Sequence, residues 1–152
     1  MNSKARRIAL TLIAPLLVTW FATEIVSTGQ PPLPNPVLYL VVSEPVTIGG
    51  KDFIRYNYNV ENFDAYPNEM FAAAPALPPC GRNAKSSRTW VDFYDQSGKR
   101  LYGFCALGKN SDLNGIWFAL DAATVPPSWV YIEMTDRQTN TKYKSNLADT
   151  TN

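Results

Sequence analysis

The segment enclosed by the two cysteines constrains this chain most, because it has the pattern of one β-hairpin. Two strand-like runs, 88–95 and 99–107, flank the connection Gln96-Ser97-Gly98 between Cys80 and Cys105. The cysteine spacing matches no short metal or redox motif, which favours a disulfide over free thiols, a nucleophile or a metal site. Closing this loop would stabilise a small domain by roughly 3.5 kcal/mol.

Short strand-like runs separated by turn residues fill most of the chain after position 36. The run 52–60 alternates apolar and polar residues, and the run 37–42 is almost continuously apolar. The other candidate strands lie at 88–95, 99–107, 113–120, 128–136 and 142–147. Seven strands without a helix-period segment predict an all-β fold, an antiparallel β-sandwich of the immunoglobulin-like or fibronectin-like kind.

The N-terminus has the pattern of an export signal. Three basic residues at positions 4–7 precede an apolar run at 8–22, which is typical of a secretory signal peptide and predicts a hydrophobic helix. Ser27 and Gly29 satisfy the need for small residues before a cleavage site. An uncleaved membrane anchor within residues 8–26 is the alternative, since a crossing helix needs about 20 apolar residues.

This pattern divides the chain into four parts. Residues 1–29 form the signal peptide or membrane anchor, and the proline-rich residues 30–36 form an extended, stiff spacer. Residues 37–148 form the β-sandwich domain, and residues 149–152 form a C-terminal tail. The expected location is outside the cytoplasm, either periplasmic or extracellular, with membrane contact only through an uncleaved N-terminal segment.

A long irregular segment, residues 61–87, interrupts the strand pattern. It contains four prolines and the apolar residues Tyr66, Met70, Phe71 and Leu77. Loops of this length inside a compact domain are uncommon. The segment is either a lid that closes one end of the sandwich or a partner-binding surface.

Composition excludes several classes of function. The chain has no histidine, so it has no Ser-His-Asp triad, no Cys-His pair and no histidine-ligated metal centre. Beyond the first 29 residues it has 11 basic and 12 acidic residues, a balance without the concentrated positive charge that nucleic-acid binding requires. We therefore expect no nucleic-acid partner, no cofactor and no enzymatic activity.

Four aromatic residues are candidates for ligand binding. In the predicted strands, Trp90 and Tyr94 share a face with Asp92, and Trp129 and Tyr131 share a face with Glu133. If these faces meet solvent, rings beside carboxylates could bind a sugar. The alternative is that the rings cover part of the core or its rim.

A weak metal candidate lies between two predicted strands. Asn110, Asp112, Asn114 and Asp121 have the spacing of a calcium loop, with Gly115 at its sixth position. The first position lacks the usual aspartate and the twelfth lacks the usual bidentate glutamate. A polar turn between strands explains the same residues.

Several short segments resemble a group of uncharacterised bacterial exported single-domain β-proteins that have no assigned activity. The shared features are a YPxE-type loop at 66–69, a PPCG turn at 78–81 and the strand SRTWVD at 87–92. The similarity covers most of residues 37–147. It implies export and a β-fold and supplies no catalytic residues.

The sequence therefore predicts an exported, non-enzymatic binding or interaction module of the bacterial cell envelope. A protein is the expected ligand. Glycan binding through Trp90, Tyr94, Trp129 and Tyr131 is the alternative, together with a histidine-free enzyme or an accessory subunit.

Overall fold

The computed structural model describes residues 32–77, 87–104 and 107–151, all within one compact unit, Pro32–Asn152. These residues form eight strands and three short 3₁₀ helices. The strands are β1 (Leu38–Ile48), β2 (Lys51–Val60), β3 (Thr89–Asp95), β4 (Arg100–Phe104), β5 (Ile116–Asp121), β6 (Trp129–Asp136), β7 (Thr141–Lys144) and β8 (Ala148–Asp149).

The strands form two antiparallel sheets. The first sheet has the order β1-β2-β5, and the second has the order β4-β3-β6-β7, with β8 also paired to β6. Gly49 and Gly50 connect β1 to β2 with φ values of 60° and 78°. Both values lie in the left-handed region that a two-residue hairpin turn of this type requires and that glycine adopts without strain.

Both sheets bury one face in a common core. Alternate residues of β2 and β5, such as Tyr58 and Phe118, point toward alternate residues of β3 and β6, such as Phe93 and Ile132. The ring centroids of Tyr58 and Phe93 are 5.5 Å apart, and those of Phe93 and Phe118 are 5.1 Å apart. The predicted all-β fold with antiparallel sheets is confirmed.

The first part of the long irregular segment belongs to the core. Two 3₁₀ helices, Phe63–Ala65 and Asn68–Phe71, place Tyr66, Met70 and Phe71 in buried positions. The Tyr66 hydroxyl donates a hydrogen bond to the Pro34 carbonyl, and burial raises the pKa of this phenol. This packing favours a lid over a partner-binding surface for the described part of the segment.

The region predicted as a spacer is in contact with the domain from Leu33 onward. Leu33 packs against the core, and the Asn62 side chain binds both the Asn35 carbonyl and the Val37 amide, each at 2.9 Å. The packed chain therefore begins several residues before Val37.

β7 and β8 follow the same edge of β6, with an irregular connection at residues 145–147. There the Asn146 side chain binds the backbone of Leu38 in the first sheet, accepting from its amide at 2.7 Å and donating to its carbonyl at 2.9 Å. Asp149 and Thr150, predicted to lie in the tail, also belong to the fold, because Asp149 is in β8 and the Thr150 amide binds the Ser128 carbonyl. Asn146 thus connects the two sheets.

A buried ion pair joins the beginning of β3 to the end of β6. Both carboxylate oxygens of Asp136 accept hydrogen bonds from the Arg88 guanidinium, and the Asp136 side chain is only 4% exposed. Thr139 and the Gln138 amide also donate to it. The Arg88 hydrogen bond is the main cause that lowers the pKa of Asp136 to about 2.

Candidate functional site

The four predicted aromatic residues lie on one face of the second sheet. Trp90 and Tyr94 are on β3, Trp129 and Tyr131 are on β6, and Tyr94 is directly opposite Tyr131. We call this outer surface the charged face; its residues are Trp90, Asp92, Tyr94, Arg100, Trp129, Tyr131, Glu133, Lys142 and Lys144. The structure thus brings the predicted set together on the surface.

Three of the four rings are already in contact with other side chains. The Tyr94 and Tyr131 rings stack with centroids 5.2 Å apart, and the Lys144 ammonium lies 4.0 Å from the Tyr131 centroid. The guanidinium carbons of Arg100 and Arg137 lie 6.0 and 5.7 Å from the Trp90 centroid. Trp129, at 43% exposure, is the most accessible of the four. Cation–π contacts therefore occupy much of the surface that a stacked sugar would use.

The charged residues of this face form two cross-strand pairs. Asp92 Oδ1 accepts hydrogen bonds from Arg100 Nε at 2.7 Å and Trp90 Nε1 at 2.9 Å. The Lys142 ammonium donates to Glu133 Oε1 at 2.8 Å. This hydrogen bond to Glu133 is the main cause that raises the pKa of Lys142. The pairing keeps both carboxylates oriented on the sheet.

Burial, followed by the negative charges of Asp92 and Glu133, raises the pKa of the Tyr94 phenol. Tyr94 and both carboxylates line an open concavity of about 240 Å³, together with Trp90, Thr135, Arg137 and Lys142.

Because Gly103 has no side chain, the Asp92–Arg100 pair can occupy the space beside it. It lies opposite Asp92 on β4. A Cβ at this position would come within 2.0 Å of Asp92 Oδ1 and 2.1 Å of one Arg100 terminal nitrogen. Because such distances are impossible for real atoms, a larger residue would displace the pair.

The first sheet has a second exposed surface that the sequence did not indicate. Its outer residues Tyr39, Val42, Ile48 and Trp117 are exposed, and we call this surface the apolar face. The run 37–42 was too continuously apolar to show which of its residues would face solvent. Tyr102 of β4 extends the apolar face, since its ring stacks on Trp117 at 6.2 Å.

One ion pair lies within the apolar face. Glu44 Oε1 accepts hydrogen bonds from Arg55 at 2.5 and 3.1 Å and from Asn57 at 3.1 Å, and the Arg55 hydrogen bond is the main cause that lowers the pKa of Glu44. The Arg55 guanidinium carbon also lies 5.9 Å from the Trp117 centroid. These contacts hold polar groups of β1 and β2 in fixed positions beside the Trp117 ring of β5.

The free edge of β1 is protected at three places. In an antiparallel strand, the backbone N–H and C=O groups of every second residue bond the neighbouring strand, and those of the residues between them point away from it. The Asn146 side chain binds the outward-pointing backbone groups of Leu38. The register shifts between Leu40 and Val42, which disrupts regular pairing. Pro45 has no N–H to donate. An added strand could therefore not pair along the whole of β1.

The calcium-like residues lie in two separate places. Asn110 and Asp112 are in a 3₁₀ helix, Asn110–Leu113, where Asp112 accepts hydrogen bonds from the Gly108 and Lys109 amides. Asn114 ends this helix, and Asp121 is at the far end of β5, about 16 Å along the strand from Ile116. Within residues 32–77, 87–104 and 107–151 there is no group of three or more histidine, cysteine, aspartate or glutamate side chains suited to a metal.

The predicted disulfide lies outside the described residues, since neither Cys80 nor Cys105 is among them. In the part of the chain that the structure describes, no helix has the length and hydrophobicity needed to cross a membrane.

Comparison of the chain with protein-family models, curated proteins and solved structures finds no match.

Proposed function

We propose that this chain is an exported, non-enzymatic interaction module that binds a protein partner of the bacterial cell envelope through its apolar face. The observation that carries the proposal is the exposure of Tyr39, Val42, Ile48 and Trp117 on one side of the first sheet. Apolar side chains concentrated on one surface of a domain mark interaction sites.

The residue types of the apolar face support a protein ligand. Tyrosine, tryptophan and arginine are enriched where proteins bind each other, and lysine, glutamate and aspartate are depleted there. The apolar face offers Tyr39, Trp117 and Arg55, with Tyr102 beside them. The charged face also has tryptophan, tyrosine and arginine, but it adds two lysines and two carboxylates, and cations contact its Trp90 and Tyr131 rings.

The protected edge of β1 supports docking on the face of the sheet. Strand addition needs a continuous row of unpaired backbone groups, and Asn146, the register shift and Pro45 interrupt that row. The proposed partner therefore presents a folded, largely apolar surface and not an extended peptide.

The strand order supports the finer part of the fold proposal, an immunoglobulin-like or fibronectin-like sandwich. In the immunoglobulin constant arrangement, the first, second, fifth and fourth strands form one sheet, and the third, sixth and seventh form the other. Here β4 differs, because it pairs with β3 in the second sheet, and the short strand β8 is an addition paired with β6. Sandwiches of this kind commonly act as binding modules on cell surfaces.

The proposed location rests on the basic and apolar N-terminus and on the predicted Cys80–Cys105 disulfide, which would persist outside the reducing cytoplasm. Mass spectrometry of the protein isolated from cells, with and without reductant, tests both features. We expect a chain that begins at Gln30 and has no free thiol before reduction. Two titratable thiols in the native protein would contradict the disulfide.

Affinity capture from a cell-envelope fraction tests the partner and the surface together. The wild-type chain should retain a specific protein, and Trp117→Ala should reduce its retention at least about tenfold, as expected for a central interface tryptophan. Trp129→Ala is the matched control, because it removes an equally exposed tryptophan from the charged face. Retention that both variants lose equally, or that Trp117→Ala leaves intact, would refute binding through the apolar face.

A further inference from the structure

The concavity on the charged face contains two carboxylates that face each other across neighbouring strands. Asp92 of β3 is directly opposite Glu133 of β6, and both line the concavity. Like charges in directly opposed positions destabilise a sheet. Here each carboxylate is compensated by a cation on its other neighbouring strand, Asp92 by Arg100 and Glu133 by Lys142.

Within the part of the chain that the structure describes, each carboxylate accepts hydrogen bonds through one of its two oxygens. The hydrogen bonds from Trp90 and Arg100 end on Asp92 Oδ1, and the bond from Lys142 ends on Glu133 Oε1. Among the described residues, none donates a hydrogen bond to Asp92 Oδ2 or Glu133 Oε2. Because both oxygens of an ionised carboxylate can accept, the concavity offers two hydrogen-bond acceptors from adjacent positions.

The charges of the lining favour a neutral ligand. Asp92 is ion-paired with Arg100 and Glu133 with Lys142, and Arg137 also lines the concavity. A metal ion would meet an ammonium and a guanidinium group, and an anion would meet two carboxylates. A ligand with several hydroxyl groups could instead donate to the carboxylates and accept from the cations without carrying charge.

The size of the concavity restricts this ligand further. Its volume of about 240 Å³ is below the roughly 300–1,000 Å³ typical of pockets for drug-sized molecules. The space suits one sugar ring, with the Tyr94 ring as an apolar wall and the Thr135 hydroxyl as a further polar contact.

We propose that this concavity binds a neutral saccharide, in which two adjacent hydroxyl groups donate hydrogen bonds to Asp92 Oδ2 and Glu133 Oε2. Lys142, which gives one of its three N–H groups to Glu133, donates another to a further oxygen of the sugar. Recognition thus depends on the paired carboxylates, whereas the aromatic rings are largely engaged with other side chains. This site is independent of the protein partner proposed for the apolar face.

Titration of the ¹⁵N-labelled full-length chain with glucose, mannose, galactose, N-acetylglucosamine and rhamnose tests the proposal by NMR. At least one neutral sugar should shift the Trp90 indole N–H signal saturably, because that group is bonded to Asp92. The analogue of that sugar lacking one of two adjacent hydroxyls should bind at least about tenfold more weakly, since it loses a hydrogen bond to a charged acceptor. Glucuronate should also bind more weakly than the neutral sugar.

Matched variants distinguish the concavity from the rest of the surface. Glu133→Gln should weaken sugar binding about tenfold or more, because it removes the charge of one acceptor. Glu44→Gln should leave the affinity unchanged, since it alters an ion-paired carboxylate on the apolar face. Equal effects of the two variants, preferential binding of glucuronate, or the absence of a saturable shift with every sugar would overturn the proposal.

Discussion

The outer faces of the two sheets have the same strand geometry, but the contacts and exposure of their side chains differ. On the charged face, the rings of Trp90 and Tyr131 lie against cations, and both carboxylates are ion-paired. On the apolar face, Glu44 is ion-paired and Arg55 contacts the Trp117 ring, but the aliphatic side chains of Val42 and Ile48 are 37% and 50% exposed. Aromatic content alone therefore does not identify a protein-binding face; the contacts that its side chains already make decide how much surface is left.

The two sheets should differ most in how much stability is lost when an ion pair of each is broken. Asp136→Asn should lower the free energy of unfolding by about 3 kcal/mol, because it leaves Arg88 partly buried without its counter-charge. Glu44→Gln should cost much less, since both side chains of the pair between Glu44 and Arg55 are exposed. Urea denaturation of both variants measures the difference, and equal losses would contradict it.

The same pair predicts a pH dependence. The pKa of Asp136 is about 2 in the folded state, below its ordinary value of 3.8. Ionised Asp136 therefore stabilises the fold above pH 3.8, and this contribution is lost as the pH falls toward 2. The wild-type protein should lose more stability than Asp136→Asn over this interval, and parallel pH profiles would exclude the effect.

Gly103→Ala would disrupt the charged face without changing a charge. We expect a loss of up to about 1 kcal/mol, because the new methyl group displaces the ends of the Asp92 and Arg100 side chains and breaks their surface ion pair. Gly108→Ala is the control, since the nearest atom to its Cβ would be 3.6 Å away, at an ordinary contact distance. Thermal unfolding of both variants tests the prediction, which requires that Gly103→Ala be clearly the less stable.

A substitution that removes one of the features protecting the free edge of β1 should increase self-association of the protein. Pro45→Val supplies an outward N–H on an exposed strand, so we expect concentration-dependent dimers in analytical ultracentrifugation. Pro75→Val, in a turn away from β1, is the control. An unchanged sedimentation profile for Pro45→Val would show that Asn146 and the register shift protect the edge without it.

Ile48→Lys should have the smallest effect on stability, within about 0.5 kcal/mol, because its side chain is half exposed. It should nevertheless shorten retention on a hydrophobic interaction column by reducing the apolar face. Thr135→Lys introduces the same charge on the charged face without removing a large apolar side chain, and it should alter retention less. The opposite order would place the main apolar surface on the second sheet.

The strands and the core faces of the fold were predictable from the sequence. Alternation in 52–60 and the turn residues around Gly98 have local causes, so the β2 and β3–β4 predictions needed no knowledge of the whole molecule. The continuation of β1 through Pro45 was not predictable, because proline is tolerated there only at an edge. The burial of Tyr66 and Phe71 was also left open, since a segment without periodicity does not reveal what it packs against.

Some features of the candidate sites were likewise predictable from the sequence, and others were not. Strand alternation by itself placed Trp90 with Asp92 and Trp129 with Glu133, because neighbouring positions two apart must share a face. Only the tertiary structure decided that Asp92 lies opposite Glu133, that cations contact the Trp90 and Tyr131 rings, and that Tyr39, Val42 and Ile48 are exposed. The physical reason is that alternation is a property of one strand, whereas strand order and register depend on the packing of the entire core.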